Sequence, residues 1–252
     1  MIPFDWGGQR WELRPDRTIH WPKTNTLILA DPHFGKAQHF RHAGIPVPTG
    51  TTQHNLNTLD QALNQTQANR LVVLGDFFHN RQGVTEHLLQ QLHHWRQQHP
   101  QLNIINIRGN HDRQAGDPPP TLNISCRPKH EPDDRDPDVA FAHEPAEHHS
   151  AVTLAGHIHP GVRLRGKAKS KLRAPCFHFT NKTATLPAFG AFTGMKIIQP
   201  KPTDQVFALG PNTILNVSPS PSPTTSSPPT PPPQSVRASP CTLCTSWRTC
   251  PT

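Results

Sequence analysis

The sequence lacks tyrosine altogether and contains only five cysteines and two methionines among its 252 residues. Only Cys126 and Cys176 fall in the part of the chain that we expect to fold, so the cysteines cannot form the disulfide framework of a small secreted domain. No apolar run approaches the roughly 18 residues needed to cross a bilayer, and the N-terminus lacks the basic and then apolar pattern of a signal peptide. The sequence therefore predicts a cytoplasmic protein without a membrane partner.

Apolar content is also scarce, because hydrophobic residues make up 33% of the chain and prolines number 30. From Ser218 to Thr252 the chain contains no Asp, Glu, Lys or His, and Pro, Ser and Thr dominate. Such a composition cannot bury enough apolar surface to fold. We predict one domain over residues 1–217 and a disordered tail over residues 218–252. The tail's cysteines supply too few ligands for a closed zinc site, because no histidine accompanies them.

Basic residues and histidines are what the sequence has in excess. Lys and Arg number 25 against 17 Asp and Glu, which gives a net charge of +8, and two of the arginines lie in the predicted tail. The charge of the predicted domain favours a polyanionic partner, nucleic acid first, and the alternative is a basic protein whose charge only keeps it soluble. The 18 histidines favour metal chemistry, because imidazole is the commonest side-chain ligand for divalent transition ions.

Five short apolar runs recur along the chain, and each ends at residues that could bind a metal ion. They are typical of buried strands, and amphipathic helices are predicted around residues 49–63 and 85–100. This alternation predicts βαβ crossovers in a parallel or mixed sheet covered by helices. An opening hairpin within residues 1–25 should cover a sheet edge, and a polar excursion is expected over residues 116–138. The five runs are 26–30, 71–74, 103–107, 139–142 and 151–155.

The loops after these runs carry carboxylate, amide and imidazole groups without thiolate, a mixture that suits two divalent ions. A carboxylate can bridge two cations, and Asp76 is our candidate for that role. In an extended segment residues i and i+2 point the same way, so Asp-x-His and His-x-His each direct two side chains toward one ion. One such motif alone is more often a surface loop, but five in order at strand ends indicate a metal site. The candidate ligands are Asp31, His33, Asp76, Asn110, His143, His157 and His159.

These motifs resemble the ordered signature of calcineurin-like metallophosphoesterases. The matching segments span roughly residues 26–160 and are Asp31-Pro32-His33, Gly75-Asp76, Gly109-Asn110-His111-Asp112, His143 and Gly156-His157-Ile158-His159. Further stretches at 29–37, 44–48, 75–79 and 186–194 resemble one branch, the ligase-associated DNA damage response phosphoesterase or endonuclease. The resemblance implies an α/β metallophosphoesterase fold of the four-layer type, in which central mixed β-sheets are flanked by helices.

The resemblance also implies a role for each motif residue. A hydroxide bridging two ions would be the nucleophile, and manganese is the expected metal, with iron or zinc as alternatives. His111 would protonate the leaving oxygen or stabilise the transition state, with Asp112 orienting it. Asp112 could equally be a residue that only stabilises the turn, and His79 could be a partner of the site or a plain loop histidine. One ion would be held by Asp31, His33, Asp76 and His159, and the second by Asp76, Asn110, His143 and His157.

A run of cations follows the last metal motif, with a basic residue at every second position. In an extended segment this alternation puts all six on one face beside the expected reaction centre, where they could contact a nucleic-acid backbone. The alternative is a solvated hairpin whose lysines protect a sheet edge, because Gly166 and Ser170 indicate a turn. The six are Arg163, Arg165, Lys167, Lys169, Lys171 and Arg173.

Together the residues and the resemblance predict a dinuclear metal-dependent phosphoesterase that hydrolyses phosphodiester bonds in DNA during repair. The alternatives are a nucleotide or phosphoprotein phosphatase that uses the same ions, and a scaffold that keeps the fold without catalysis. A scaffold would be expected to have lost ligands, whereas all of them and His111 are present. The resemblance alone implies association with an ATP-dependent DNA ligase and a helicase.

Overall fold

The computed structural model describes residues 1–147, 151–165 and 171–219. Across these ranges the chain forms two mixed β-sheets that pack face to face, with helices on the outer face of the first sheet. Contacts group Met1–Ser220 into one compact unit. The predicted tail lies outside the described residues, apart from Ser218 and Pro219.

The strands of the first sheet follow one another in space in the same order as in the chain. They are β1 (Ile2–Trp6), β2 (Gln9–Leu13), β3 (Ile19–Trp21), β4 (Thr26–Leu29), β5 (Arg70–Val73), β6 (Asn103–Ile107) and β7 (Ile124–Arg127). Pairing is antiparallel from β1 to β4 and parallel from β4 to β7. The predicted opening hairpin is therefore present, and it extends the sheet beyond β4 through β3.

Helices connect the parallel strands of this sheet. They are α1 (Lys36–His42), α2 (Thr51–Thr66), α3 (Glu86–Gln98) and the short α4 (Asp112–Ala115), with 3₁₀ turns at Pro22–Thr24, Arg81–Gly83 and Pro120–Leu122. Helix α3 begins where the sequence predicts, because the Thr85 hydroxyl accepts a hydrogen bond from the Leu88 amide at 3.2 Å. Helix α2 begins after Gly50, which is in the left-handed conformation, and has no side-chain cap. In the described ranges, no helix combines the length and apolarity needed to span a membrane.

The second sheet is also mixed. Its strands are β8 (His130–Pro132), β9 (Val139–Ala142), β10 (Val152–Ala155), β11 (Pro160–Arg165), β12 (Lys171–Phe179), β13 (Thr183–Thr185), β14 (Lys196–Ile197), β15 (Gln205–Leu209) and β16 (Ile214–Asn216). Their spatial order is β14-β11-β12-β13-β10-β9-β8, with β15 and β16 attached beside β12. Strands β9 and β10 are parallel neighbours, so their carboxyl ends lie at the same edge.

Two apolar layers hold these elements together. Between the sheets, Trp11 and Ile28 of the first pack in one cluster with Phe141 and Phe177 of the second. On the other face of the first sheet, alternate strand residues pack against the predicted amphipathic helices. Members of that second layer include Leu27 and Leu71 from the strands and Leu56, Leu59, Leu88 and Leu92 from α2 and α3.

The predicted α/β fold of mixed sheets flanked by helices is confirmed. Among the described residues the helices cover only the first sheet, whereas Ile198 and Val217 pack on the small apolar cluster of β11, β12 and β15. We expected a polar excursion over residues 116–138, and the structure shows in addition that this segment contains the strands β7 and β8. These strands are short and only partly buried, so they carry little of the apolar alternation that marks a strand in a sequence.

Candidate metal centre

The predicted ligands lie where strands of both sheets end. The loops after β4, β5 and β6 of the first sheet and after β9 and β10 of the second carry them. Parallel neighbours have their carboxyl ends at one edge, which brings the loops of each sheet side by side. Among the described residues, three groups of side chains offer donor atoms within 4.8 Å of one another. They are Asp31, His33 and His159; Asp31, Asp76 and His143; and His33, His79 and His111.

Several of these loops turn sharply at the predicted ligands themselves. The backbone φ angle is 53° at Asp31, 46° at His33, 51° at Asp76, 65° at His157 and 49° at His159. This left-handed conformation costs a non-glycine residue about 1–2 kcal/mol. Such strain persists where the surrounding structure fixes it, and it concentrates at functional sites.

The first donor group surrounds the carboxylate of Asp31, which is fully buried. Its Oδ2 lies 3.4 Å from Nε2 of His159. Nε2 of His33 lies 3.8 Å from Oδ2 of Asp76, which places Asp76 beside this group. Among the described residues, Oδ1 of Asp31, Nδ1 of His33 and Nε2 of His159 are buried without a hydrogen-bond partner. A divalent cation would satisfy such a set of oxygen and nitrogen donors.

The second donor group is centred on His143. Its Nε2 lies 2.8 Å from Oδ1 of Asn110 and 3.1 Å from Nδ1 of His157. The same Nε2 is 3.5 Å from Oδ1 of Asp76. Nδ1 of His143 lies 2.9 Å from the carbonyl oxygen of Leu74, so it carries the hydrogen and leaves Nε2 for an ion. Asp76 contacts both donor groups, the position that a bridging carboxylate requires.

Burial shifts the protonation equilibria of these side chains. Burial raises the pKa of Asp76 to about 6; His143 opposes the shift, and the neighbouring Asp31 carboxylate adds to it. Burial also lowers the pKa of His33, with a further contribution from the charge of Lys36. A low pKa keeps an imidazole neutral, which is the form that binds metal, and cations would offset the charge of buried carboxylates. The residues present therefore fit divalent cations.

Two glycines make room for this clustering. A Cβ atom at Gly109 would collide with the Asp76 carboxylate. At Gly75, where φ is +87°, a Cβ atom would collide with the imidazole of His143. The glycines that precede Asp76 and Asn110 in the sequence therefore have a steric cause.

Asp112 is buried and contacts backbone amides. Its Oδ2 accepts hydrogen bonds from the amides of Gly109 at 2.8 Å and Asp76 at 3.0 Å, and its Oδ1 accepts one from Phe77 at 3.0 Å. The carboxylate thereby joins the loop after β5 to the loop after β6. Within the described residues it makes no hydrogen bond to the His111 ring, so the orienting contact expected from the sequence is not found.

His111 lies beside the donor groups with its side chain 34% exposed. Its Nε2 is 3.9 Å from Oδ2 of Asp76. Its Nδ1 is 2.6 Å from the carbonyl oxygen of His79, which can only accept, so Nδ1 carries the hydrogen. The His79 ring stacks on it, with centroids 5.0 Å apart and planes 24° apart. His79 therefore fixes the His111 ring by its backbone and by its side chain.

Lys36 is a candidate that the sequence reasoning did not assign. Burial lowers the pKa of its ammonium group, and the nearby carboxylates of Asp31 and Asp76 raise it. Its Nζ lies 3.4 Å from Oγ1 of Thr193. The signal for it was its place three residues after His33 of the Asp-x-His motif, at the first residue of α1. A cation held near both carboxylates can contact an anionic substrate.

The predicted basic face falls on two strands. In the antiparallel pairing of β11 with β12, Arg163 lies opposite Arg173, and Arg165 lies opposite Lys171. Directly opposed positions share a face of a sheet, so the register puts these four positions on one face. The side chains of Arg163, Lys171 and Arg173 are exposed. Lys167 and Lys169 lie outside the described residues.

Comparison with known proteins connects this fold to a family. No family profile matches the chain, and no curated protein does. Among solved structures, the nuclease MPE of Pseudomonas putida is 38% identical, with a TM-score of 0.74, over 85% of this chain and 99% of that one. Yfce, a phosphoesterase from E. coli, is 15% identical over 77% of this chain and 98% of that one, with a TM-score of 0.39.

A TM-score as low as that of Yfce does not establish a common fold, so the assignment rests on the nuclease. The likeness to the nuclease extends over nearly the whole of that relative and over most of this chain. The chain belongs to the metallophosphoesterase family, whose members are enzymes that hydrolyse phosphoester bonds.

Proposed function

We propose that the protein is a dinuclear metal-dependent phosphodiesterase that cleaves DNA. The observation that carries this proposal is the position of Asp76, which lies 3.5 Å from His143 of one donor group and 3.8 Å from His33 of the other, with His111 beside it. Two cations bound at these neighbouring donor groups would suit a phosphoryl group, because each could stabilise different oxygens during transfer. The Pseudomonas relative is a nuclease, which makes a nucleic-acid phosphodiester the first substrate to test.

In this proposal Asp76 would be a ligand of both ions. When bound, the ions would neutralise charge on the phosphoryl oxygens and acidify a water molecule for attack. Manganese is the proposed metal, and iron or zinc would use the same donors. One ion would be held by Asp31, His33, Asp76 and His159, and the other by Asp76, Asn110, His143 and His157.

His111 would donate a proton to the leaving group. Because the carbonyl of His79 engages Nδ1, Nε2 is the atom that can hold a proton and donate it to the leaving oxygen. Asp112 would act through the loops it joins, and so it is a positioning residue in this proposal. It keeps Asp76 and Asn110 in register without touching the reacting atoms.

Two features support a polyanionic substrate. Lys36 would bind a phosphate oxygen next to the ions, because its ammonium group lies near the carboxylates of Asp31 and Asp76, which raise its pKa. The net charge of +8 and the basic hairpin of β11 and β12 would attract the rest of the DNA backbone. The role in DNA repair, with an ATP-dependent DNA ligase and a helicase as partners, rests on the sequence resemblance alone.

The function is tested by metal analysis joined to cleavage assays. We expect two manganese ions per chain and manganese-dependent cleavage within a panel of single-stranded, nicked and duplex DNA. Asp76→Asn should remove metal from both positions and abolish cleavage, because both ions lose a ligand. Asp5→Asn, at an exposed carboxylate, is the control that should change neither. Metal-independent cleavage, or cleavage that survives Asp76→Asn, would contradict the proposal; a strong preference for nucleotide monoesters or phosphoproteins would favour a phosphatase.

His111→Ala should lower the turnover of DNA by about 10²–10⁴ while the metal content stays unchanged. Hydrolysis of a chromogenic diester with a 4-nitrophenolate leaving group should fall much less, because that group leaves without a proton. Rates on both substrates and the bound metal are measured for each variant, with His94→Ala on the exposed face of α3 as the control. Equal losses on the two substrates would remove His111 from the role of proton donor.

Asp112→Asn should lower the free energy of unfolding by about 1.5–3 kcal/mol, because an amide cannot accept from all the backbone donors that the carboxylate serves. Manganese affinity should fall as well, and turnover should recover at saturating manganese. Urea denaturation and metal titration measure these effects. A stable variant that binds manganese normally but has lost turnover would instead assign Asp112 a direct catalytic role.

Reversing the charges of Arg163 and Arg173 to glutamate should weaken DNA binding and flatten its salt dependence. If each arginine contacts one phosphate, the slope of log affinity against log salt falls by roughly 1.5. Binding is followed by fluorescence anisotropy, with Arg10→Glu on β2 as the control. Hydrolysis of the small chromogenic diester should be unaffected, and an equal loss on both substrates would mean that the hairpin supports the site rather than the DNA.

A further inference from the structure

The segment 186–196 follows the rim of the metal centre and is tied to it at both ends. The amide of Phe189 donates to the carbonyl of Ala30 at 2.7 Å, and that of Gly190 donates to the carbonyl of Asp31 at 3.1 Å. At the other end, the amide of Lys196 donates to the carbonyl of His159 at 3.0 Å. The segment between these anchors is therefore held against two of the three residues of the first donor group, Asp31 and His159.

Phe192 lies between these anchors and is an exposed aromatic residue. The residue is 48% exposed and has a φ angle of 58°. Single exposed apolar residues are common and do not by themselves indicate a binding site. Phe192 combines exposure with a left-handed backbone, which is unfavourable for a bulky residue. An unfavourable conformation that presents an aromatic ring beside an active site indicates a role in binding.

The neighbours of Phe192 are those that a nucleic acid requires. The next residue, Thr193, contacts Nζ of Lys36 at 3.4 Å, and that ammonium is influenced by the charges of Asp31 and Asp76. Met195, three residues after Phe192, is 39% exposed and adds apolar surface. Phe192 thus lies in the chain between Gly190, which bonds to the backbone of Asp31, and Thr193, which contacts Lys36, so that a base and its phosphate could both be bound here.

We propose that Phe192 is a stacking platform for an unpaired base of a single-stranded nucleic acid whose phosphate lies in the metal centre. The proposal rests on the proposed function and refines its substrate. Every base has a π face, so stacking on one aromatic ring is tolerant of sequence. The bases of an intact duplex are already stacked on one another, so this ring favours single strands, flaps and frayed ends over paired DNA.

The test compares two oligonucleotides of equal length, one with bases and one whose residues are all abasic. The purified wild-type protein with manganese should cleave the first about tenfold more efficiently, because stacking on an aromatic side chain is worth about 1–3 kcal/mol per base. Phe192→Ala should remove this preference by slowing only the cleavage of the base-containing strand. Phe192→Trp should retain it, and Leu215→Ala, at a 51% exposed leucine on β16, is the matched control.

A binding measurement separates stacking from effects on the chemistry. An oligonucleotide with 2-aminopurine should lose fluorescence on binding to the wild type and to Phe192→Trp, and not on binding to Phe192→Ala. Equal effects of Phe192→Ala on both oligonucleotides, or none on either, would overturn the stacking role. If the wild type hydrolyses a small chromogenic diester but cleaves neither oligonucleotide, the proposed DNA substrate fails, and the platform fails with it.

Discussion

Two carboxylates buried side by side impose the main constraint on this structure. Asp31 and Asp76 lie where the two sheets meet, and burial together with the charge of Asp31 opposes the ionisation of Asp76. Backbone amides stabilise each of them: the His157 amide donates to Asp31 at 2.8 Å, and the His111 amide donates to Asp76 at 2.9 Å. The remaining negative charge is what bound cations would balance, so the cost of burying acids becomes affinity for metal.

A third buried carboxylate, that of Asp112, is also stabilised by backbone amides. These amides belong to two loops, so the position of the carboxylate is set by the main chain. In turn Asp112 holds the backbone of Asp76, the residue that lies near both donor groups. Asp112 bonds to the amides of Gly109, Asp76 and Phe77, and this joins the Gly-Asn-His-Asp turn to the loop after β5. In the proposed function, a metal ligand, a proton donor and a positioning carboxylate therefore occupy three successive positions, Asn110, His111 and Asp112.

The sequence predicted the strands β4, β5, β6, β9 and β10 and the clustered donor residues that follow them because both signals are local. An apolar run marks the strand, and the polar residues directly after it mark the loop. Strands β7 and β8 were missed because they are short, only partly buried and carry little apolar alternation, so that their backbone pairing with β6 and β9 is what defines them. The proposed roles of Lys36 and Phe192 were missed because they draw on the contact of Thr193 with Lys36, and the chain separates those two residues by 157 positions.

The donor groups draw on both sheets, and this has a consequence for the stability of the molecule. Asp31 and Asp76 follow strands of the first sheet, whereas His143 and His159 follow strands of the second. In the proposed metal-loaded enzyme, each ion would therefore join two layers that also meet through the apolar core and through hydrogen bonds such as that from the His157 amide to Asp31. Since ligand binding to the native state alone raises its stability with the logarithm of ligand concentration, metal supply would set how firmly the layers stay together. Scarcity of metal would then lower the amount of folded enzyme as well as its activity.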